Sequence, residues 1–108
     1  MPATPAIPAR YAGLVPYDTP RSLDALHGPT SGSIEVESNI STAFKRTYEV
    51  GDPARCHSLY QATVRDGYAH QQEAILDKAT LFELWRGLWL PKRCRDTWET
   101  KFPELAEL

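Results

Sequence analysis

Apolar residues recur at helical spacing between Lys78 and Phe102, a segment that also holds all three tryptophans of the chain. Apolar residues at i, i+3, i+4 and i+7 mark one face of a first helix: Leu81, Leu84, Trp85 and Leu88. Phe82 and Trp89 widen that face. We therefore predict a helix that is buried on more than one side.

A second helix is predicted to follow, because three residues repeat every four positions: Cys94, Trp98 and Phe102. Asp77 can cap the start of the first helix, and Pro91 can end it while opening the second helix as its first residue. Pro103 then stops the second helix. We expect the two helices, joined at Leu90-Pro91 and packed against each other through tryptophan, to form the core.

The segment before these helices shows strand and turn signals. Residues 33–37 alternate polar and apolar positions, which predicts a half-exposed strand. Residues 38–39 can reverse the chain, and residues 44–50 are rich in β-favouring types, so they form a second strand candidate. The resulting antiparallel ribbon needs the helices to cover one face. One helical turn is expected earlier, in residues 19–26, followed by turn residues at 27–32.

Further helix signals lie between the ribbon and the tryptophan-rich segment. Asp52 at the N-cap and Pro53 at the first helical position start a helix that Gly67 ends in a left-handed conformation. A shorter helix is predicted over residues 69–76, with three buried residues: Ala74, Ile75 and Leu76. The predicted fold class is α+β, mainly α, with a small N-terminal β ribbon followed by about four short helices over residues 53–102.

Residues 1–20 hold five of the nine prolines, which predicts an extended or disordered arm that precedes a single small domain at 21–108, with the ribbon near 33–50. The arm also carries apolar residues, among them Ile7, Tyr11 and Leu14. Such an arm can dock on a partner or on a second copy of the chain, giving a homodimer. Alternatively, it lies along its own domain.

A formal net charge of −2 over 108 residues argues against a dedicated nucleic-acid binder, which usually carries a basic excess. The charge is nevertheless uneven, because the cations concentrate in residues 85–101. These cations are Arg86, Lys92, Arg93, Arg95 and Lys101. We also find no run of apolar residues long enough for a signal peptide or a membrane span, so we expect a cytoplasmic protein that does not use a membrane.

Cys56 and Cys94 lie far apart on the apolar faces of predicted helices, which favours free buried thiols over a disulfide. Cys56 next to His57 does not make a catalytic dyad, because neighbours on a helix point roughly 100° apart. A zinc site from Cys56, His57, His70 and Cys94 lacks the usual close ligand spacing. Residues 28–33 lack the lysine of a phosphate-binding loop. We therefore expect no enzyme activity, no metal and no cofactor.

The basic residues Lys92, Arg93 and Arg95 occupy the first turns of the last predicted helix, where the helix dipole disfavours cations. That placement indicates an anionic partner, either a nucleic-acid backbone or acidic residues of another protein. The helix pair at 78–101 is also compatible with a helix-turn-helix DNA reader, although it lacks the residues that usually read bases. A solvated face with Arg95 and Glu99 paired at i, i+4 is the third interpretation.

Two blocks resemble a group of small actinobacterial proteins, and together they cover rather more than a third of the chain. They are residues 19–32, with the sequence TPRSLDALHGPTSG, and Leu81–Leu105, with the skeleton LW…LP…R…WE…FPEL. Proteins of that group are encoded beside nucleotidyltransferase toxins of the AbiEii type. The resemblance implies an antitoxin-like partner that occludes the active site of such a toxin and has no chemistry of its own.

Under that interpretation, aromatic and basic side chains form the partner-binding surface, because such residues anchor protein interfaces. The predicted partner-binding residues are Trp85, Arg86, Trp89, Lys92, Arg93, Arg95 and Trp98. The cations among them are expected to face the carboxylates that hold the metal ions of a nucleotidyltransferase. The alternative is a transcriptional regulator that binds DNA through the helix pair and dimerises through the arm or the ribbon.

Overall fold

The computed structural model describes residues 17–42 and 46–108. It shows a two-stranded antiparallel ribbon of β1, Ser33–Glu35, and β2, Thr47–Glu49, in which Ile34 faces Tyr48. Strand β1 is shorter than the predicted strand at 33–37, and residues 46 and 50 of the second predicted strand lie outside β2. Residues 1–16 of the predicted arm and residues 44–45 of the second predicted strand lie outside the described residues, together with residue 43. A turn at residues 38–40 follows β1, near the predicted position.

The first and longest helix, α1, spans Pro53–Asp66 and begins as predicted. The side chain of Asp52 accepts hydrogen bonds from the backbone N–H groups of Ala54 and Arg55, at 3.0 and 3.4 Å. The Arg55 guanidinium lies 4.3 Å from the ring centroid of Tyr48 and donates to Thr47 O at 2.9 Å. The helix and the ribbon are therefore joined at the start of α1.

Gly67 ends α1, but the prediction of a left-handed residue there is wrong. Gly67 has φ −76° and ψ 153°, which is ordinary extended backbone. A Cβ at this position would lie 2.6 Å from Thr63 O, which is closer than atoms can approach. The glycine is therefore needed for close packing against the end of α1 and not for its conformational freedom.

Helix α2 spans Ala69–Ile75, as predicted within one residue, but it buries different side chains. Ala74 is exposed, which corrects one of the three predicted core positions, whereas Ile75 and Leu76 are buried. Three consecutive polar residues are buried with them: Gln71, Gln72 and Glu73. Each finds partners outside α2, so this helix packs through hydrogen bonds as well as apolar contacts.

Helix α3 spans Lys78–Leu84 and is capped by Asp77, whose carboxylate accepts from the backbone N–H of Thr80 at 3.1 Å. A 3-10 turn follows at Trp85–Gly87, and α4 then spans Lys92–Lys101. The predicted single helix running to Pro91 is therefore wrong in its last turn. Pro91 is the N-cap residue of α4 and not its first helical residue.

A short helix, α5, spans Pro103–Ala106 after α4 has ended at Lys101, so Pro103 closes α4 as predicted. The core is centred on the predicted tryptophan contact: the rings of Trp85 and Trp98 lie 5.8 Å apart, and Phe102 meets Trp98 edge-on at 5.9 Å. Helices dominate and a ribbon precedes them, which confirms the α+β, mainly α, fold class. None of the described helices is long and apolar enough to cross a membrane.

Residues 17–28 lie across the helices and include a 3-10 turn at Leu23–Ala25. Lys101 Nζ donates to Thr19 Oγ1 at 3.0 Å and to Pro20 O at 2.8 Å. Arg21 binds the carboxylate of Glu73 through its backbone N–H, at 2.9 Å, and through its guanidinium, at 3.1 Å. The end of the predicted arm, residues 17–20, is thus attached to the helical domain.

Candidate functional site

The loop between the 3-10 turn and α4 exposes a tryptophan. Trp89 is 83 % exposed, whereas Leu88, directly before it, is 3 % exposed. Leu88 has φ −73° and ψ 134°, and side chains alternate sides along an extended chain. Leu88 therefore enters the core while Trp89 points into solvent, which corrects the prediction that Trp89 belongs to a buried helix face.

Proline explains why the helix cannot continue through this loop. The helical region is sterically disfavoured for the residue before a proline, which favours an extended backbone at Leu90. Gly87 adds a second weak point, because glycine is a poor helix former. Trp85 and Trp89 have the four-residue spacing of one helix face, but the helical backbone ends at Gly87.

Two polar side chains of α1 fasten this loop from one side. His57 Nε2 lies 3.0 Å from Gly87 O, and a carbonyl can only accept, so Nε2 carries the proton. One turn later, Gln61 Oε1 accepts from the backbone N–H of Trp89 at 2.6 Å. His57 is half-buried, and its ring holds the loop.

Arg95 of α4 fastens the same segment from the other side. Its guanidinium donates to Trp85 O at 3.3 Å and also to Leu88 O. It lies 5.0 Å from the Trp85 ring centroid and 3.7 Å from Glu99, the predicted i, i+4 partner. Glu99 in turn accepts from Trp85 Nε1 at 2.9 Å. The guanidinium of Arg95 is therefore bound within the fold, and its role as a partner-binding cation stays a prediction.

A cavity of ≈ 210 Å³ lies beside the exposed tryptophan, between α1 and the loop. Its lining residues are Arg65, Trp89, Leu90 and Pro91. Arg65 follows Gln61 by one more turn of α1, so His57, Gln61 and Arg65 form a stripe at a spacing of four residues. Arg65 forms an ion pair with its neighbour Asp66 at 2.9 Å.

Cations border the loop on its α4 side. Lys92 is 88 % exposed in its side chain and pairs with Asp96 at 2.6 Å; this hydrogen bond raises the pKa of Lys92. The Arg93 guanidinium lies 6.0 Å from the ring centroid of Tyr17. Arg86 is exposed one residue before Gly87. We call the four cavity-lining residues together with Arg86, Lys92 and Arg93 the Trp89 surface.

Trp85 and Trp98 do not belong to this surface, although both were predicted to bind a partner. Each is 0 % exposed, and their rings pack against each other. Apolar spacing marked all three tryptophans alike, but only Trp89 lies on the extended loop. Sequence reasoning also missed Gln61 and Arg65, although the polar residues spaced four apart on α1 were a signal for them.

The candidate chemical groups are separated from one another. Cys56 and Cys94 are free and buried, as predicted, and burial raises the pKa of both thiols, that of Cys94 to about 11. Cys94 Sγ lies 3.8 Å from Val64 O. His70 is exposed and stacks on Tyr68. Within residues 17–42 and 46–108, no three histidine, cysteine or carboxylate side chains are grouped to hold a metal ion.

A second cleft, of ≈ 330 Å³, lies between the first 3-10 turn and the end of α4. Its cations are already engaged by the fold. Lys78 pairs with Asp24 at 2.8 Å, and Lys101 donates to Thr19 and Pro20. This cleft therefore serves to attach the N-terminal segment.

Comparison with known proteins yields no relative: no protein-family model, no curated protein and no solved structure matches this chain. The geometry of the Trp89 surface therefore carries the functional assignment.

Proposed function

We propose that this chain is a non-catalytic protein-binding module whose anchor is Trp89. One observation carries the proposal: an 83 % exposed tryptophan is held on a loop whose backbone is bound by His57, Gln61 and Arg95. Tryptophan is enriched among the residues that contribute most binding energy at protein interfaces. A loop that is already ordered loses little conformational entropy on binding, which raises affinity.

The proposed partner is a nucleotidyltransferase toxin, which the chain neutralises in the manner of an antitoxin by covering its active site. The resemblance of residues 19–32 and 81–105 to antitoxin-like proteins supports this partner. The exposed cations Arg86, Lys92 and Arg93 are complementary to the carboxylates that bind metal ions in such an enzyme. A cytoplasmic location fits this role and the two free thiols.

The direct test is to purify the chain together with a nucleotidyltransferase encoded beside its gene and to measure nucleotide transfer with and without the chain. We expect a stable complex and loss of transfer. Trp89→Ala should release the inhibition, whereas Tyr68→Ala, which removes a different exposed aromatic ring, should not. Full inhibition by Trp89→Ala, or absence of any complex, would contradict the proposal.

A DNA-binding regulator is the second candidate, because Lys92 and Arg93 are exposed in the first turn of the second helix of a helix–loop–helix unit. The N-terminal residues of such a helix contact DNA in helix-turn-helix proteins. A homodimer formed through the arm or the ribbon would be the binding unit. This candidate requires an affinity for duplex DNA that falls steeply with salt, since each phosphate contact releases counterions.

A further inference from the structure

We propose that the cavity beside Trp89 receives one large apolar side chain from a segment of the partner protein, and that Arg65 binds a carboxylate next to that side chain. This inference rests on the proposed protein-binding function and names the chemistry of the partner segment. The occupant is a short acidic stretch of protein that contains one aromatic or branched aliphatic residue.

The stripe on α1 provides the first argument. Its first two members, His57 and Gln61, bind polar backbone groups of the loop at Gly87 and Trp89. The third member, Arg65, lines the cavity with Pro91 and carries only N–H donors, so it needs an acceptor. Arg65 therefore pairs with the adjacent Asp66, and the side chains of both are more than a third exposed. An exposed pair of this kind is weak and can exchange for a partner's carboxylate.

The cavity itself provides the second argument. Its loop side is formed by Trp89, Leu90 and Pro91, which offer an indole ring and two apolar side chains. Its volume of ≈ 210 Å³ exceeds the roughly 150 Å³ of an engineered cavity that binds benzene. One phenyl ring or leucine side chain therefore fits.

Charge provides the third argument, because it favours a partner segment that has acidic residues on either side of its apolar residue. One cation, Arg65, lines the cavity, and a second, Lys92, directly follows the lining residue Pro91. Arginine binds carboxylate in a two-pronged geometry that adds both energy and orientation. A basic segment would bring its own cations next to Arg65, so the cavity favours an acidic segment over a basic one.

The experiment uses the full chain and three blocked pentapeptides. The first has phenylalanine flanked by two glutamates on each side, the second replaces the glutamates by glutamines, and the third replaces the phenylalanine by glycine. Binding is followed by the nitrogen-15 NMR signal of the Trp89 indole N–H, assigned with Trp89→Phe. We expect dissociation constants of about 1 mM for the first peptide, the scale of a single side-chain anchor, and weaker binding of the other two.

Arg65→Gln locates the carboxylate contact. It should weaken binding of the acidic phenylalanine peptide by roughly two- to fivefold, the range of an exposed ion pair. It should leave the glutamine peptide unaffected, because that peptide has no carboxylate to lose. Lys78→Gln, which removes the same charge from a residue outside this cavity, is the matched control and should change neither affinity.

Equal binding of the acidic and glutamine peptides would overturn the inference. It would also be overturned if the indole N–H signals of the buried Trp85 and Trp98 changed while that of Trp89 did not. Absence of binding by all three peptides would also overturn it. The peptide experiment contains no nucleotidyltransferase, so its failure is separate from that of the proposed function. Peptide binding without toxin binding would keep the cavity's chemistry and remove the toxin as the partner.

Discussion

At the residue scale, the absence of a Cβ atom at Gly28 allows the N-terminal segment to pack closely against the end of α2. Its N–H donates to Leu76 O at 2.8 Å, and the N–H of His27 donates to Glu73 O at 2.9 Å. The last carbonyl groups of a helix have no partner within the helix, so this crossing segment satisfies the end of α2. The approach is possible because residue 28 has no side chain.

Gly28→Ala is therefore expected to destabilise the fold. The added Cβ would lie 2.1 Å from Ile75 O, which forces the N-terminal segment away from α2. Overpacking of this kind costs about 1–3 kcal/mol. Gly51→Ala is the matched control, because its Cβ would meet only Glu49 Oε2, at 3.9 Å. Urea unfolding measures both, and equal stability of the two variants would contradict this packing.

Tyr60 provides a prediction about alkaline pH. Its side chain is fully buried, and its hydroxyl oxygen accepts from the backbone N–H of Asp77 at 2.8 Å. Burial raises the pKa of Tyr60 from 10.0 to about 12. Above pH 10 the unfolded chain loses this proton while the folded chain keeps it, so the unfolded state binds fewer protons and stability falls as pH rises.

The contribution of Tyr60 is complete below pH 10 and is lost as pH rises through about 12. The free energy of unfolding should fall by up to about 1.4 kcal/mol per pH unit in that window from this one group. The buried thiols act in the same direction, so the comparison is with Tyr60→Phe. That variant should show a shallower decline in chemical unfolding experiments, and an identical slope would show that Tyr60 does not titrate in this way.

At the scale of the element, local sequence signals predicted the ends of the helices, but they did not predict the backbone within the tryptophan-rich segment. Asp52, Asp77 and Pro103 each mark a boundary through their own chemistry, and each acts as predicted. The extended loop at 88–90 depends on Gly87 and on the restriction that Pro91 places on Leu90. Apolar periodicity takes no account of either, which is why Trp89 was assigned to a buried face.

The polar core of α2 was not predictable from its own sequence. Gln71 donates to Glu37 and to Asn39 Oδ1, the latter at 3.0 Å, and Gln72 Nε2 donates to Asp18 O at 3.0 Å. These partners lie more than 30 residues away in the chain. A hydrophobic pattern predicts burial from residue type, so it favoured Ala74 over glutamines whose partners only the folded chain brings together.

The loop that carries Trp89 gives a prediction for the element. Gln61→Ala removes the acceptor of the Trp89 backbone N–H, so hydrogen exchange at that amide should become faster. Loss of one hydrogen bond should also weaken partner binding by about 0.5–1.5 kcal/mol, because the loop must then be ordered on binding. Ser58→Ala, an exposed position on the same helix, is the control.

Native-state exchange followed by NMR measures the effect of Gln61→Ala directly. Unchanged protection of the Trp89 amide in that variant would show that the side chain of Gln61 does not hold the loop. Faster exchange in Ser58→Ala as well would point to a general loosening of α1 and would remove the specific role of Gln61.

At the scale of the whole molecule, the two buried tryptophans are separate from the exposed tryptophan that we propose binds a partner. Trp85 and Trp98 hold the helices together, whereas Trp89 lies on the outside of the same unit. The chain has a net charge of −2, and the cation that lines the cavity beside Trp89, Arg65, is paired with Asp66. If the partner segment is acidic, as proposed, its attraction to this surface should weaken with added salt, which screens charges over about 10 Å at 0.1 M.

The most direct test of the central claim is to measure partner affinity and unfolding free energy together for Trp89→Ala, with Trp98→Ala as the reference for a core tryptophan. Trp89→Ala should raise the dissociation constant for the proposed partner, a nucleotidyltransferase encoded beside the gene, by about 30-fold or more, since anchor residues contribute at least about 2 kcal/mol. It should change stability by less than about 0.5 kcal/mol. Trp98→Ala should lose about 3–5 kcal/mol of stability. An unchanged dissociation constant for Trp89→Ala, or a loss of stability as large as that of Trp98→Ala, would contradict the account.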